Sequence, residues 1–402
     1  LNINEPSSTK VVILQHAGDY REAFQRLKAG GSETYYAQRY SVESVGQLVA
    51  KGYAVTFITA HTDTSYDEVQ ENGVRAIGAG YKNGVGSVAL EQLVSGHKPD
   101  RLIFHTLSRP VMQWAKAHSI RSLAVLADSF NAGGLRDRIR NWRTASLLNH
   151  DCFEWIGNHG LNSCLSLRSI GVRPDKLVPW DWPAMVTPRE QARSLKDQPG
   201  HVALFVGMIC EEKGIGDVLR ALALLKSAGM QVRLRAVGKG AVEDYLALAR
   251  SLGVEDRVEF VGLLPHAEVM NEMKEADVVI VPSRHEYPEG LPMTIYETLC
   301  SRTPLVVSDH PMFRANLQHE VDALVFPAGN SEALSKELGR LLSDSALYQH
   351  LSAASAEAWS RLQLPVKWGE LVSRWLGDSA EDRQWLVDHR LVSGRYPLER
   401  YR

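Results

Sequence analysis

Cysteine is scarce in this chain: four in 402 residues, at 152, 164, 210 and 300, with no Cys-x-x-Cys pair. That spacing excludes a disulfide framework or a zinc site and reads as four small, buried apolar residues in a reducing compartment. No run of about 18 apolar residues occurs, so no segment reads as a membrane-spanning helix. Residues 1–9, LNINEPSST, lack the apolar stretch of a secretory leader and read as a frayed start. An excess of one charge is also missing: 45 Lys and Arg stand against 47 Asp and Glu, a net of −2. A nucleic-acid binder would carry a basic footprint, so no nucleic-acid partner is expected. His-Glu-x-x-His, a Walker lysine loop and a metal-spaced Cys/His cluster are all absent. So is an Asp-x-Asp at a strand end, Asp197 and Asp217 falling in linker and helix contexts.

What is present is ordinary globular material, 44% hydrophobic and 23% charged. The length predicts two α/β domains. In the first half, short apolar runs alternate with helical patterns: 10–14, then a glycine loop and a helix over about 33–51, then 53–60, 74–77, 100–105, 122–128 and 176–179. That alternation implies parallel βαβ units. Residues 181–200 break the rhythm with Pro183, Pro188 and Pro199 and read as the linker between domains 1–180 and 201–358. The second half restarts with strand-like runs at 201–207, 231–238, 257–262, 277–283, 304–309 and 323–327. Helical patterns lie between them at about 214–228, 241–252, 266–276, 293–301 and 331–343. In the first of these, Val218, Leu222 and Leu225 form one buried stripe. Continuous apolar strands between amphipathic helices predict a doubly wound sheet covered on both faces. Residues 359–402, rich in Trp and Arg, are expected to pack back on the first domain.

The richest segment runs from Pro282 to Glu297, PSRHEYPEGLPMTIYE. A strand ends at Ser283, a Gly/Pro loop follows, and a helix begins near Met293. Free amides at such a helix start suit a diphosphate, helped by the positive end of the helix dipole. Glu289 and Glu297 are carboxylates able to pair with vicinal hydroxyls. Taken alone, two such glutamates are more often ordinary surface residues flanking a strand–helix turn. Ala29-Gly30-Gly31-Ser32-Glu33 reads as a helix start with Ser32 as N-cap. His105 ends a strand, where a lone histidine has either a structural or a functional use. Leu135, Ile139 and Trp142 share a helical face flanked by Arg136, Arg138, Arg140 and Arg143. The plain reading there is a buried stripe with a solvated basic face. The sharper one is contact with an anionic lipid surface or a lipid-diphosphate acceptor.

Taken together, Glu289-Gly290, Glu297 and the following Pro304-Leu305-Val306-Val307 resemble the Glu-x7-Glu signature of retaining glycosyltransferases of family four. That family has the GT-B fold, two Rossmann-like doubly wound domains facing each other across a deep cleft. The resemblance implies that Glu289 contacts the transferred sugar, that Glu297 takes the ribose hydroxyls, and that the backbone of Gly290, Leu291, Pro292, Met293 and Thr294 holds the diphosphate. Gly207-Met208-Ile209-Cys210-Glu211-Glu212-Lys213-Gly214 is similar to the family's Gly-Arg-…-Lys-Gly segment, in which two cations neutralise the leaving diphosphate. Lys213 fits; Met208 stands where the family has Arg. Arg284, Arg302 or another group is then expected to compensate, or the donor is held less tightly. Gly238, Gly262, Leu263 and Leu264 lie in segments that resemble the loops receiving the donor base. Gly30, Gly31 and Ser32 resemble the family's Gly-Gly loop near the donor phosphate, and His105 matches a position facing the reacting sugar. At the next strand end relatives often carry His before Asp or Thr; this chain has Ala127-Asp128, which leaves the acceptor side open.

The implied activity is retaining, metal-independent transfer of a hexose, with Glu289, Lys213 and His105 as the catalytic set. The donor is a nucleotide diphosphate sugar, a UDP-sugar such as UDP-glucose first, acting as substrate with no cofactor. The acceptor is a saccharide or lipid-linked molecule in polysaccharide or glycoconjugate assembly. The expected location is the cytoplasm or the inner face of the membrane, with peripheral membrane contact. Two other readings stay open: a different GT-B activity such as a nucleotide-sugar epimerase or a phosphorylase, and a non-catalytic nucleotide-sugar-binding partner of another enzyme.

Overall fold

A computed structural model of the chain describes residues 8–16, 18–81, 87–130, 134–197 and 200–401. Residues 1–7 of the expected frayed start, and Pro199 of the expected linker, lie outside the described residues. The strands are β1 (Lys10–Gln15), β2 (Ala54–Thr59), β3 (Ser65–Val69), β4 (Arg75–Ala79), β5 (Arg101–Phe104), β6 (Arg121–Leu126), β7 (Phe153–His159), β8 (Leu177–Trp180), β9 (His201–Val206), β10 (Val232–Val237), β11 (Val258–Gly262), β12 (Val278–Val281), β13 (Leu305–Ser308) and β14 (Leu324–Phe326). The α-helices are α1 (Tyr20–Lys28), α2 (Gln38–Ala50), α3 (Ser87–Gly96), α4 (Arg109–Ala117), α5 (Leu135–Leu148), α6 (Leu161–Ser169), α7 (Ile215–Ser227), α8 (Val242–Ser251), α9 (His266–Glu275), α10 (Met293–Ser301), α11 (Ser331–Ser343), α12 (Ser345–Leu362), α13 (Trp368–Gly377) and α14 (Ala380–Asp388).

The chain divides into two units. The first comprises Leu1–Glu33, Ala37–Pro183 and Leu364–Pro397; the second comprises Thr34–Tyr36, Ala184–Gln363 and Leu398–Arg402. The first unit holds an eight-stranded sheet in the order β3-β4-β2-β1-β5-β6-β7-β8. Its pairings are parallel except for β3 against β4. Sequence reading passes over two of these strands. Ser65–Val69 is a polar, largely exposed edge strand with no apolar run to mark it. In Phe153–His159 the apolar run is broken by Glu154 and Gly157. A Cβ at Gly157 would sit 2.7 Å from Leu371 Cδ2 and 3.0 Å from Trp180 Cδ1, so any larger residue there displaces the Leu371 side chain. Pro179 fits β8 because that strand is an edge, where a missing backbone donor costs nothing in the ladder.

Two helical expectations need correction. The stretch read as a glycine loop holds a helix, α1, and the helix expected over about 33–51 is present as α2 but starts later, at Gln38. Asp19 caps α1, its carboxylate accepting from the Glu22 amide. The boundary expected at 358/359 also falls inside α12, whose register runs unbroken to Leu362. The segment beyond it, α13, places Trp368, Leu371, Val372, Trp375 and Leu376 on one stripe at helical spacing. All five are buried in the same core cluster as Val11, Ile13, Val55 and Phe57.

The second unit holds a six-stranded, all-parallel sheet in the order β11-β10-β9-β12-β13-β14. Strand residues alternate between two apolar clusters, one around Ala203, Phe205 and Leu234 and one around Leu204, Val279 and Val307, so both faces are covered. Val218, Leu222 and Leu225 of α7 lie in the first cluster. Of the four free cysteines, 152, 164 and 300 are buried; Cys210 is only half-buried, because it lies in a loop after β9 rather than in an element. In each sheet the strand order reverses once beside the first strand, between β1 and β5 and between β9 and β12. Crevices at the carboxyl ends of strands at such reversals are where open α/β sheets bind ligands.

Candidate functional site

In the second unit, the loops leaving β9 and β12 meet at the reversal point. The turn over residues 211–214 lies against the end of β12, with the Arg284 amide donating to Glu212 O at 2.8 Å. Gly214 caps α7 in the left-handed region (φ 77), and a Cβ there would sit 2.3 Å from Pro282 O. Glycine alone fits both demands. This packing delivers Lys213 to Glu289: Nζ lies 2.5 Å from Oε1, with the side chains 14% and 6% exposed. Ser283 Oγ donates to the same oxygen at 2.6 Å, and Nζ stands 4.3 Å above the centre of the Tyr287 ring. His310, fully buried after β13, donates from Nε2 to Tyr287 O (3.1 Å) while Nδ1 accepts from the Met312 amide (3.2 Å). These partners fix its tautomer, and burial pushes its pKa down, so the ring is neutral.

From Glu289 the chain turns through Gly290, Leu291 and Pro292 into α10. No side chain caps that helix, and Pro292 occupies the N-cap position. The amides of its first turn, Met293 and Thr294 among them, have no intrahelical carbonyl to serve. Glu297 lies one turn in and is 5% exposed. Its Oε1 is 2.6 Å from His266 Nε2, the first residue of α9. Burial and the neighbouring Glu297 push the Cys300 thiol up to about 12, so it stays protonated and contributes no nucleophile.

The loops after β9, β10 and β11 are laced backbone to backbone. The Gly207 amide donates to Val237 O (3.0 Å), Gly238 to Gly262 O (2.9 Å), and Ile209 to Lys239 O (2.8 Å). A Cβ on Gly238 would fall 1.8 Å from Gly207 O, and one on Gly240 would fall 2.2 Å from Ile209 O. Leu263 is 69% exposed beyond this ladder, whereas Leu264 packs on the core. Met208 is 50% exposed. Neither arginine expected to compensate for it is available. Arg284 grips the buried Asp217 from Nε (2.9 Å) and Nη2 (2.8 Å), and also pairs with Glu211 at 2.7 Å. Asp217 pushes its pKa up. Arg302 is buried, donating to Arg189 O (2.8 Å) and Ala353 O (3.0 Å).

Gly30, Gly31, Ser32 and His105 belong to the first unit. The glycines close α1 instead of opening a helix: Gly30, at φ 80, donates to Leu27 O (3.2 Å), and Gly31 donates to Arg26 O (2.9 Å). This is a Schellman end, which offers carbonyls already satisfied and no cradle of amides. Ser32 is not an N-cap; its carbonyl accepts from Arg26, and α2 starts at Gln38 after Ala37. His105 does stand at the sheet reversal, with Nδ1 3.1 Å from Oε1 of Gln15 at the end of β1. Gln15 Nε2 donates to Gly18 O (2.9 Å), so its oxygen faces His105 and Nδ1 carries the proton. Nε2 is left as an acceptor, buried and without a hydrogen-bond partner, and the ring packs edge-on against Phe57 and Trp368. Burial pushes the imidazole down to about 4. Beside it the rings of His16 and His61, which follow β1 and β2, lie 3.8 Å apart.

The geometry therefore joins Lys213 to Glu289 and adds Ser283, Tyr287 and His310, none of which the sequence singled out. It places Glu297 with His266 and strips Gly30, Gly31 and Ser32 of a helix start. His266 follows Leu263-Leu264-Pro265 directly, so its place at a helix start was readable; its partner was not. His310 lies two residues beyond the strand Leu305–Ser308, the position where strand ends present side chains.

Residues 186–358 match the family described as glycosyl transferases group 1. The chain is 28% identical over 181 residues to the amylovoran biosynthesis glycosyltransferase AmsK of Erwinia amylovora, a match covering 44% of this chain and 42% of that protein. The chain thus spans less than half the length of this relative. Among solved structures, sucrose-phosphate synthase from Thermosynechococcus elongatus superposes with a TM-score of 0.67 at 18% identity, covering 92% of this chain and all of that one. Anabaena HepE, solved with UDP and glucose, superposes with a TM-score of 0.61 at 15% identity, covering 88% and 95%. At such identities the likeness is one of fold, and the fold is GT-B.

Proposed function

We propose, from the match of residues 186–358 to the family described as glycosyl transferases group 1, that the chain moves a hexose from a nucleotide diphosphate sugar to a saccharide or lipid-linked acceptor with retention of configuration. The observation that carries this reading is the Lys213–Glu289 pair at the β9/β12 reversal, next to the uncapped start of α10. A cation and a row of amides at one strand edge are what a departing diphosphate requires as its charge grows. Glu289, held on Oε1 by Lys213 and Ser283, keeps Oε2 for a sugar hydroxyl. Glu297 has its Oε1 engaged by His266 and its second oxygen for a ribose hydroxyl.

In the transfer step the bond from the anomeric carbon to the diphosphate oxygen breaks. The acceptor oxygen forms its bond on the same face, and the acceptor proton passes to the leaving diphosphate. The products are a glycoside and a nucleoside diphosphate. No metal is required by this scheme, because Lys213 and the helix amides supply the positive potential. We take the donor to be a UDP-hexose, glucose first, the nucleotide and sugar bound by one neighbour in fold. The setting we propose is polysaccharide or glycoconjugate assembly. His105 is retained as a candidate for orienting the sugar, in the acceptor role its tautomer dictates.

The test is a thermal-shift and diphosphate-release screen against UDP-, GDP- and ADP-sugars without added metal. Stabilisation by one base, with slow release of its diphosphate, is the expected result; no stabilisation by any donor refutes the reading. Exposed Met208, with Arg284 and Arg302 both engaged elsewhere, favours a second reading: a nucleotide-sugar-binding partner without turnover. Tight donor binding with no release or transfer distinguishes it.

A further inference from the structure

The parallel sheet of the second unit has another edge, at the amino ends of its strands, opposite the Lys213–Glu289 site. A cavity of about 410 Å³ opens there, beside the first residues of β9 and β10 and the turn Glu255–Arg257 that leads into β11. Leu234 pairs with Val258, so Arg233 and Arg257, one residue earlier on each segment, stand abreast at the cavity wall. Like charges side by side on neighbouring strands repel, and neither arginine makes an ion pair among the described residues. Arg257 is half-buried, its Nη1 donating to Met230 O at 2.7 Å; Arg233 is exposed. By contrast Arg235, two residues further along β10, pairs with both Glu259 and Glu272. Asp256, the one carboxylate lining the cavity among the described residues, is taken by Lys226 at 3.0 Å. His201 also lines the cavity, with Nδ1 turned inward, buried, without a hydrogen-bond partner and 3.8 Å from Asp277 Oδ2. Asp277 is fully buried and is matched by Lys196, 3.9 Å from Oδ1, and by the Val202 amide at 2.9 Å. Each of the two carboxylates thus has its own lysine, and the two arginines remain unmatched.

We propose that this cavity binds a small sugar phosphate, its phosphate group lying between Arg233 and Arg257. Two unmatched guanidinium groups call for about two negative charges, which a phosphate monoester approaches at neutral pH and a single carboxylate does not. The planar guanidinium fork also fits phosphate oxygens two at a time. With Nδ1 facing Asp277, Nε2 is the His201 nitrogen left to donate to the ligand. The volume is that of a small-molecule site and exceeds what one phosphate fills. The body of the ester occupies the rest, where Gln231 and Asp256 suit hydroxyl groups and Asp256 disfavours a second anion. Strands β9 and β10 run from this cavity to the loops of the Lys213–Glu289 site, so the two sites stand at opposite ends of the same strands. The inference does not depend on the reaction proposed for the other end.

Isothermal titration of the full chain with ribose 5-phosphate, ribose and inorganic phosphate tests it. Ribose 5-phosphate is expected to bind more tightly than inorganic phosphate, ribose not to bind, and added salt to weaken the binding. R233Q and R257Q each lower the affinity about tenfold or more, the usual worth of a hydrogen bond to a charged group. R233Q keeps the wild-type unfolding midpoint without ligand, because Arg233 is exposed and unpaired, so its loss of binding is not a loss of fold. K213M, titrated below its melting range, binds ribose 5-phosphate as the wild type does, which separates this cavity from the diphosphate site. No binding of ribose 5-phosphate to the wild type, equal affinities for it and inorganic phosphate, or wild-type affinity in both arginine variants overturns the proposal. Binding lost in K213M and kept in R233Q overturns it in favour of the Lys213–Glu289 site.

Discussion

Replacing Lys213 by methionine strands Glu289, 5% exposed, with the Ser283 hydroxyl as its remaining partner at Oε1. Breaking a buried ion pair from one side costs about 3–5 kcal/mol. The retained hydroxyl puts this case at the low end, about 3 kcal/mol. For a unit of this size that is a fall in Tm of roughly 6–12 °C. Glu289→Gln keeps the shape and leaves the ammonium over the Tyr287 ring, at a cost of about 2 kcal/mol. The double variant K213M/E289Q contains no stranded charge, so its loss is expected to stay near that of the worse single variant. That makes a coupling of about 2 kcal/mol in a double-mutant cycle from urea melts. Diphosphate release from the donor follows a different pattern. Losing one preorganised electrostatic group costs about 100- to 1000-fold in rate. The double variant loses no further stability than K213M, and its turnover stays low because the transition state still lacks its cation. Additive stability losses within about 0.5 kcal/mol would mean the two side chains do not hold each other. Near-wild-type release in both single variants would remove them from the reaction altogether.

Three further outcomes follow from the same geometry. Gly214→Ala forces a side chain to φ 77 and a Cβ to within 2.3 Å of Pro282 O, so the unfolding midpoint drops by more than the roughly 1–2 kcal/mol of the left-handed conformation alone; an unchanged midpoint refutes the close packing. Arg284→Ala leaves the buried Asp217 with only the longer Arg220 contact at 3.4 Å and is expected to cost about 3 kcal/mol of stability, the low end for a broken buried pair, while leaving donor affinity intact; the reverse pattern in urea melts and donor titrations would show that Arg284 serves the donor. His105 has a folded pKa of about 4 against an ordinary 6.5, so below pH 6.5 the unfolded chain takes up a proton that the folded chain refuses. Stability should therefore fall as pH drops from 6.5 to 4, by up to about 3 kcal/mol, with buried His310 adding in the same direction. H105F should flatten that slope, and parallel pH profiles for the two proteins would refute the assignment.

The second unit was almost wholly legible. Four of its six strands are apolar runs closed by Gly, Pro or Ser, while β10 and β11 carry Arg233, Arg235 and Glu259 between apolar residues, and α10 and α11 begin and end where the pattern says. The Lys213–Glu289 pair was legible only as two residues of one resemblance; what joins them is the contact of Gly214 with Pro282, a long-range fit that no local pattern encodes. The first unit was harder. Gly30-Gly31 was read as a beginning because glycine marks both phosphate loops and helix ends, and deciding between them needed Asp19 to be seen as the N-cap of α1. Ser65–Val69 escaped because an exposed edge strand carries no apolar alternation. Leu135, Ile139 and Trp142 show the complementary failure: helical spacing identified a face correctly, and burial does not follow from spacing alone.

The backbone ladder of Gly207, Gly238 and Gly262 has a practical corollary for engineering the proposed donor site. Since carbonyl oxygens already occupy the space of a Cβ at Gly238 and Gly240, no library member with a side chain there can keep this loop arrangement. Sequence diversity has room at Lys239 and Leu263, whose side chains project into solvent. Under the proposed donor assignment, a campaign to change the nucleotide should therefore randomise those two positions and hold the glycines constant.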